Sequence, residues 1–446
     1  MPLTDDQVRE LLRVYAKLGP EPVPEAPLPS LPELRRGRRR PERRPPSQVT
    51  LVERDGLAVW EWGFSKPQRL SGLGRARRAA GPSAPAGREI FSHILQPLGV
   101  NQIGELLLDF DCQRNPAFDR KPGWKLRRWY GDRQVLGDPR PTEAKNVLVI
   151  VHGTASCADH IFNEIQLAEG GRKLLADAAK HYSAVLAFEH PTVSISPVLN
   201  ALDLSEALAP YGNCSVDIVC HSRGGLVASW WMHVVDSRPC EKRCVFVGSP
   251  LQGTNLANPA KLRNSLHLLA SYGRVIGNVG VAAGFLALPM TIIKVAASVV
   301  DFTAKTPFLD AAVAMIPGLA AQSSTQNNQD LIRLNARKSH RQGAPTHFYI
   351  RANFASKNDG WKFWRYFTNI KTRLIDAAVD TFVFPGENDL VVDTDSMLDA
   401  VSGPEFKFPS EDGIVHHTNY FEQKQTIEKI REWLGIPEAT ASVPSV

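Results

Sequence analysis

The sequence predicts an α/β protein with a mostly parallel central sheet flanked by helices. Short continuous runs of β-branched residues and leucine recur along it: "NVLVIV" from Asn146, "SAVLAFEH" from Ser183, "VDIVC" from Val216 and "CVFVGSP" from Cys244. Unbroken apolar runs of this length suit strands that are buried on both faces of a parallel sheet. Helix-length segments separate them, and alternation of strand with helix means βαβ units. "THFYIRANF" and "TFVFPG" continue the series. The chain has 446 residues, and one large α/β domain with insertions accommodates that length as well as several small domains.

At the N-terminal end, residues 3–18 read as a short amphipathic helix with Thr4 as a cap, inside a segment 1–48 that is otherwise a disordered Pro/Arg-rich linker. The formal charge of +6 owes much to "RRGRRRPERR" at Arg35–Arg44. No aromatic residue interleaves these arginines, so there is no platform for stacking bases; a solvated linker is expected and no nucleic acid partner. "VTLVERDGLAVWEWG" reads as a β-hairpin around Asp55 and Gly56. It opens a β-containing extension, 49–140, expected to pack on the core. The core itself is read as 141–254 and 341–436, interrupted by an insertion at 255–340 and followed by a flexible tail, 437–446.

Other classes fall away on composition. The first residues include acidic groups and no apolar core of a signal peptide, and the six cysteines are scattered without a disulfide framework. Cys240 and Cys244 lack the second pair that a zinc site needs, so no metal is expected. A cytoplasmic location follows as the expectation. Within the insertion, Val275–Ile293 contains no charged residue and approaches the length of about 18 at which a membrane span is considered. Asn278, three glycines and Pro289 interrupt it, which favours a buried or interfacial helical hairpin.

The chemistry centres on "VDIVCHSRGGLVASWW", a strand-like run leading through Ser222 into an apolar helical pattern. A nucleophile elbow places a serine on such a turn and needs small residues around it, because strand and helix backbones nearly touch. Gly224 and Gly225 meet that need downstream, while Cys220 stands where glycine is usual. A serine at a helix start also serves as a cap, so Ser222 alone leaves both readings open. "VLVIVHGT" supplies a second piece, a strand ending in His152 and Gly153. From there the backbone N–H of Thr154, with that of Arg223, would form a two-donor oxyanion hole.

An HG-ended strand, an HSxG elbow and then "VFVGSPLQGT" together resemble the α/β-hydrolase superfamily, and within it the bacterial lipase and esterase branch that includes acylglycerol lipases and GPI-inositol-deacylase-like proteins. The resemblance runs over about residues 145 to 435 in the order of elements, while its motifs occupy a few short stretches. It implies an acid on a late-strand loop and a histidine nearer the C-terminus. In "FPGENDLVVDTDSM" the acid is Asp389, with Asp393 and Asp395 as rivals that could instead cap a helix. In "EFKFPSEDGIVHHTNYF" the base is His417, with His416 as the alternative. The order Ser222, Asp389, His417 is that of the fold. His152, Gly153, His221 and His190 are placed around the substrate pocket, with His152 and His221 expected to support the loops by packing.

For the insertion the resemblance implies a helical lid, whose apolar residues would form an acyl pocket and could rest on a lipid surface. The expected activity is therefore hydrolysis of carboxylic esters of a small-molecule, lipid-like substrate through an acyl-enzyme. Acyl transfer by the same triad, or a non-catalytic module that binds lipid or a partner, are the alternatives. The triad requires no cofactor.

Overall fold

The structure, a computed structural model, describes residues 47–54, 57–64, 88–94, 100–119, 123–131, 134–136, 144–258, 265–267, 283–299, 315–324, 328–338, 345–354, 387–409 and 415–438, with Arg9, Lys121 and Leu269. The N-terminal helix read at 3–18 (Arg9 apart), the arginine run, the turn Asp55–Gly56, "TFVFPG" and all but two residues of the tail lie outside them. By compactness the chain divides into one unit of residues 1–98 with 269–305 and a second of residues 99–268 with 306–446.

The first unit contains strands β1 (Ser47–Arg54), β2 (Leu57–Phe64) and β3 (Arg88–Ile94) in the order β2-β1-β3, all antiparallel. Arg54 pairs with Leu57, the register of a hairpin with a two-residue connection. The same unit holds a helix, Ala283–Val299, made of 17 residues, in which every residue from Ala287 to Ile293 is buried. A helix this apolar, with Lys294 its one charged residue, must be largely enclosed. Residues 269–305 thus group with the N-terminal strands, whereas the sequence places them in one continuous insertion with their neighbours. No helix among the described residues is long and apolar enough to cross a membrane.

The second unit is built on an eight-stranded sheet. Its strands are β4 (Lys125–Trp129), β5 (Gln134–Leu136), β6 (Asn146–Val151), β7 (Ala184–Glu189), β8 (Ser215–His221), β9 (Lys242–Val247), β10 (Thr346–Ala352) and β11 (Glu405–Phe408). They lie in the order β11-β10-β9-β8-β6-β7-β4-β5, and every neighbouring pair is parallel except those made by β4. This is the α/β-hydrolase fold. β4 and β5 come from the stretch assigned by sequence to an extension; "KLRRW" carries too many charges to read as a buried strand.

Why the central runs are unbroken is visible in their packing. Leu148, Ile150, Val185, Ala187, Val219 and Val245 face one core, with α2 (Ala158–Leu167), α3 (Gly171–His181) and the C-terminal α9 (Lys424–Leu434). The alternate residues Val147, Val149, Leu186, Phe188, Ile218 and Phe246 face the other, with α4 (Pro197–Leu208) and α5 (Gly224–Trp230). Successive strand residues point to opposite faces, so burying both faces forces apolar residues at every position. The other named helices are α1 (Val100–Arg114) before the sheet, α6 (Ala283–Val299) in the first unit, and α7 (Pro317–Ala320) and α8 (Gln329–Lys338) before β10. The carboxyl ends of β6 and β8 adjoin at the centre, where chain connections leave in opposite directions, the usual place for a ligand in open α/β sheets.

Candidate active site

Ser222 follows β8 directly, and α5 begins two residues later. Its φ of 54° lies in the left-handed region, which a non-glycine residue enters only when its surroundings hold it there. They do so through the glycines. A Cβ on Gly224 would stand 2.5 Å from the carbonyl oxygen of Val151, and one on Gly153 would stand 2.7 Å from Cβ of Ser222. The Ser222 N–H donates to Val247 O at 3.0 Å, tying the turn to β9. Cys220, in the usual glycine position, is wholly buried; its thiol lies 3.6 Å from that of Cys244 and 3.5 Å from Val245 O. The compact thiol fills core space on β8 without displacing the turn.

Ser222, His417 and Asp389 come together. His417 Nε2 is 2.8 Å from Ser222 Oγ, and His417 Nδ1 is 2.7 Å from Asp389 Oδ2. A carboxylate only accepts, so Nδ1 carries the proton and Nε2 presents a lone pair to the hydroxyl. Asp389 is fixed by more than this bond. The N–H groups of Val391 and Val392 donate to Oδ1 at 3.0 and 2.8 Å, and Tyr420 OH donates to Oδ2 at 3.0 Å. Leu390, at φ 81°, makes the tight turn that aims those amides back at the carboxylate. The His417 N–H also donates to Asp389 O at 3.0 Å.

The rival residues are engaged elsewhere. Asp393 Oδ2 accepts from Asn255 Nδ2 at 2.8 Å, Asp395 is exposed, and neither caps the turn Thr394–Met397 with its side chain. His416 Nδ1 lies 3.2 Å from Thr418 Oγ1, away from the serine. Burial lowers the His416 pKa to about 4.

Around Gly153, the remaining histidines act on the backbone. His152 and His190 are wholly buried and stacked with centroids 4.2 Å apart. The His190 N–H donates to His152 Nε2 at 3.2 Å, which leaves the proton of His152 on Nδ1, 3.1 Å from Gly153 O. His221 Nε2 lies 2.8 Å from His417 O. Both His152 and His221 have a pKa lowered to about 3, burial being the chief cause. Glu189, at the end of β7, accepts from Asn115, from the Ala158 N–H and from Arg127, and burial raises its pKa.

These histidines set an acid limit on stability. An unfolded histidine titrates near 6.5, so between that pH and about 3 the unfolded chain binds a proton that folded His152 refuses. Stability is fully present above pH 6.5 and is lost as pH falls. His152 alone should remove about 2 kcal/mol between pH 7 and pH 5. Urea unfolding at the two pH values measures the loss, and a His152 NMR titration midpoint above pH 5 would contradict its cause.

Several residues near the site escaped the sequence reading. Tyr420 is three positions beyond His417. Gln322 Oε1 accepts from Thr154 Oγ1 at 3.2 Å, which brings the described part of the insertion at 315–324 against the loop after β6. Asp111 sits on the buried face of α1 with Ile103, Leu107 and Phe110; a carboxylate at helical spacing among apolar residues was the available signal. Of the four non-glycine residues with positive φ among those described, Ala155, Ser222 and Leu390 all lie here. Backbone strain of this kind concentrates where a geometry is being held for use.

A family whose model matches residues 122–435 carries the description "Domain of unknown function (DUF7379)". No curated protein matches the chain. Among solved structures, the mature form of the Bacillus licheniformis lipase BlEst2 is 14% identical with a TM-score of 0.39, covering 71% of this chain and 100% of its own. Lipase 1 from Pelosinus fermentans is 11% identical with a TM-score of 0.39, covering 67% and 100%. The enol-lactonase from Burkholderia xenovorans LB400 is 11% identical with a TM-score of 0.36, covering 70% and 96%.

Proposed function

The chain belongs to that family, whose description assigns no activity, and from the site itself we propose that it is a serine hydrolase of carboxylic esters. The observation that carries this is the unbroken relay from Ser222 Oγ to His417 Nε2, and from His417 Nδ1 to Asp389 Oδ2, at 2.8 and 2.7 Å. Ser222 Oγ attacks the ester carbonyl while His417 takes its proton. The tetrahedral oxyanion is stabilised by the backbone N–H groups of Thr154 and Arg223. His417 then protonates the leaving alkoxide, and water repeats the sequence on the acyl-enzyme. Asp389 holds the imidazole in the tautomer that accepts from serine and stabilises the imidazolium. His152, Gly153, His190 and His221 shape the floor of the pocket, and no metal or organic cofactor enters the reaction.

The substrate is an apolar, lipid-like ester. That part rests on the apolar residues of segment 315–324, where Ile316, Leu319, Ala320 and Ala321 accompany the Gln322 that meets Thr154 and would suit an acyl chain. A fluorophosphonate probe with peptide mapping tests the mechanism, and p-nitrophenyl esters of graded acyl length test the substrate. The expected result is a single label on Ser222 and activity that rises with acyl length. A label on another residue overturns the mechanism, and a short-chain preference overturns the lipid assignment.

A further inference from the structure

Helix α1 precedes the family-matched residues 122–435, yet it reaches the site. Its Asp111 is buried beside Leu107 and Phe110 and is wrapped by the loop after β7. Oδ1 accepts from the N–H and the hydroxyl of Thr192, at 2.7 and 2.9 Å, and from the N–H of Val193 at 3.1 Å. Oδ2 accepts from the N–H and the hydroxyl of Ser194, at 3.0 and 2.6 Å. One carboxylate thereby organises three consecutive residues.

That loop touches Arg223 and Ala155, the latter directly following Thr154, so it bears on both amides that face the oxyanion in the proposed reaction. Having given its proton to Asp111, Thr192 Oγ1 has lone pairs to offer, and it accepts from the Ala155 N–H at 3.1 Å. Ala155 directly follows Thr154 and sits at φ 54°, a conformation disfavoured for alanine unless neighbours hold it. Its buried N–H would otherwise be orphaned, and relaxing it would rotate the Thr154–Ala155 peptide and so disturb the backbone of Thr154, whose own N–H lies in the adjoining peptide. On the other side, Ile195 O accepts from Arg223 Nη2 at 2.5 Å, and Asn200 Oδ1 accepts from the same nitrogen at 2.7 Å. Arg223 is wholly buried, and Asp111 is the charge that partly offsets the burial which lowers its pKa to about 9.

We propose that Asp111 and Thr192 are positioning residues for the oxyanion hole, with Asp111 setting the loop and Thr192 passing its geometry to Ala155 and so to Thr154. This rests on the ester-hydrolase reading above. Since the oxyanion is absent from the bound ester and develops only on the way to the tetrahedral intermediate, a loosened hole should lower kcat and leave KM nearly unchanged.

The test compares Thr192→Val, Thr192→Ser and Asp111→Asn in the full chain on a p-nitrophenyl ester. Rates are expressed per active site from the endpoint of fluorophosphonate titration, which removes any misfolded fraction. Thr192→Val keeps shape and loses the acceptor; kcat should fall about tenfold or more, short of the roughly 10²–10³ lost with a whole oxyanion donor. KM should stay within about threefold, and Thr192→Ser should recover most of kcat. Asp111→Asn, which sets an NH2 against N–H donors, should lower kcat in the same way. A wild-type kcat per site in Thr192→Val, or an equal loss in Thr192→Ser, overturns the proposal while the hydrolase reading stands. A wild-type chain that never labels at Ser222 overturns both.

Discussion

Ser222→Ala is expected to lower kcat by a factor on the order of 10⁵ to 10⁶, the range in which removing the nucleophile of a serine relay falls. The fold should be unaffected. Alanine keeps the Cβ that already occupies the left-handed turn at φ 54°, and the glycines that permit the turn are unchanged. What disappears is the oxygen 2.8 Å from His417 Nε2. A residual rate above that of water should persist, since the amides of Thr154 and Arg223 would still meet an attacking water's oxyanion. Steady-state kinetics on a p-nitrophenyl ester decide the matter: a variant within about tenfold of wild type would mean that another group performs the attack.

Asp389→Asn should cost about 10⁴ in kcat, and the hydrogen bonds around the carboxylate say why. Two backbone amides, from Val391 and Val392, donate to Oδ1. An asparagine will keep its carbonyl oxygen there, because turning its NH2 toward two N–H donors would orphan all of them. That choice sets the NH2 against His417 Nδ1 where Oδ2 stood. A donor facing Nδ1 demands a lone pair, so the imidazole moves its proton to Nε2 and loses the lone pair that accepts from Ser222. Tyr420 OH can rotate to accept from the same NH2, which stabilises the wrong arrangement. Ser222 should label with fluorophosphonate far more slowly, with thermal unfolding little changed. A kcat within tenfold of wild type would show that the Asp389 geometry is structural only.

The two substitutions also separate what could be seen from the chain alone. The elbow was legible because its requirements are local: an apolar strand, a serine, and small residues at fixed offsets are all within ten positions. The acid loop and the histidine loop were legible as loops. Within them, choosing Asp389 over Asp393 or His417 over His416 rested on motif resemblance. The adjacent His416 and His417 point apart, His416 turning to Thr418, while beyond the turn at Leu390 Asp393 meets Asn255.

By itself, then, the sequence determined the parallel sheet and the turn carrying Ser222. Burial of both strand faces dictates unbroken apolar runs, and the near contact of strand and helix dictates glycine. Tertiary structure alone decided the partners that meet across the chain. Tyr420 joins Asp389 across 31 residues, Gln322 joins Thr154 across 168, and Asp111 joins Thr192 across 81. Tertiary structure also divided the insertion, grouping 269–305 with the N-terminal strands and setting 315–324 beside the site. A hydrogen bond between distant residues leaves no periodic trace along the chain; it exists only once packing has excluded water and left each buried donor dependent on one acceptor.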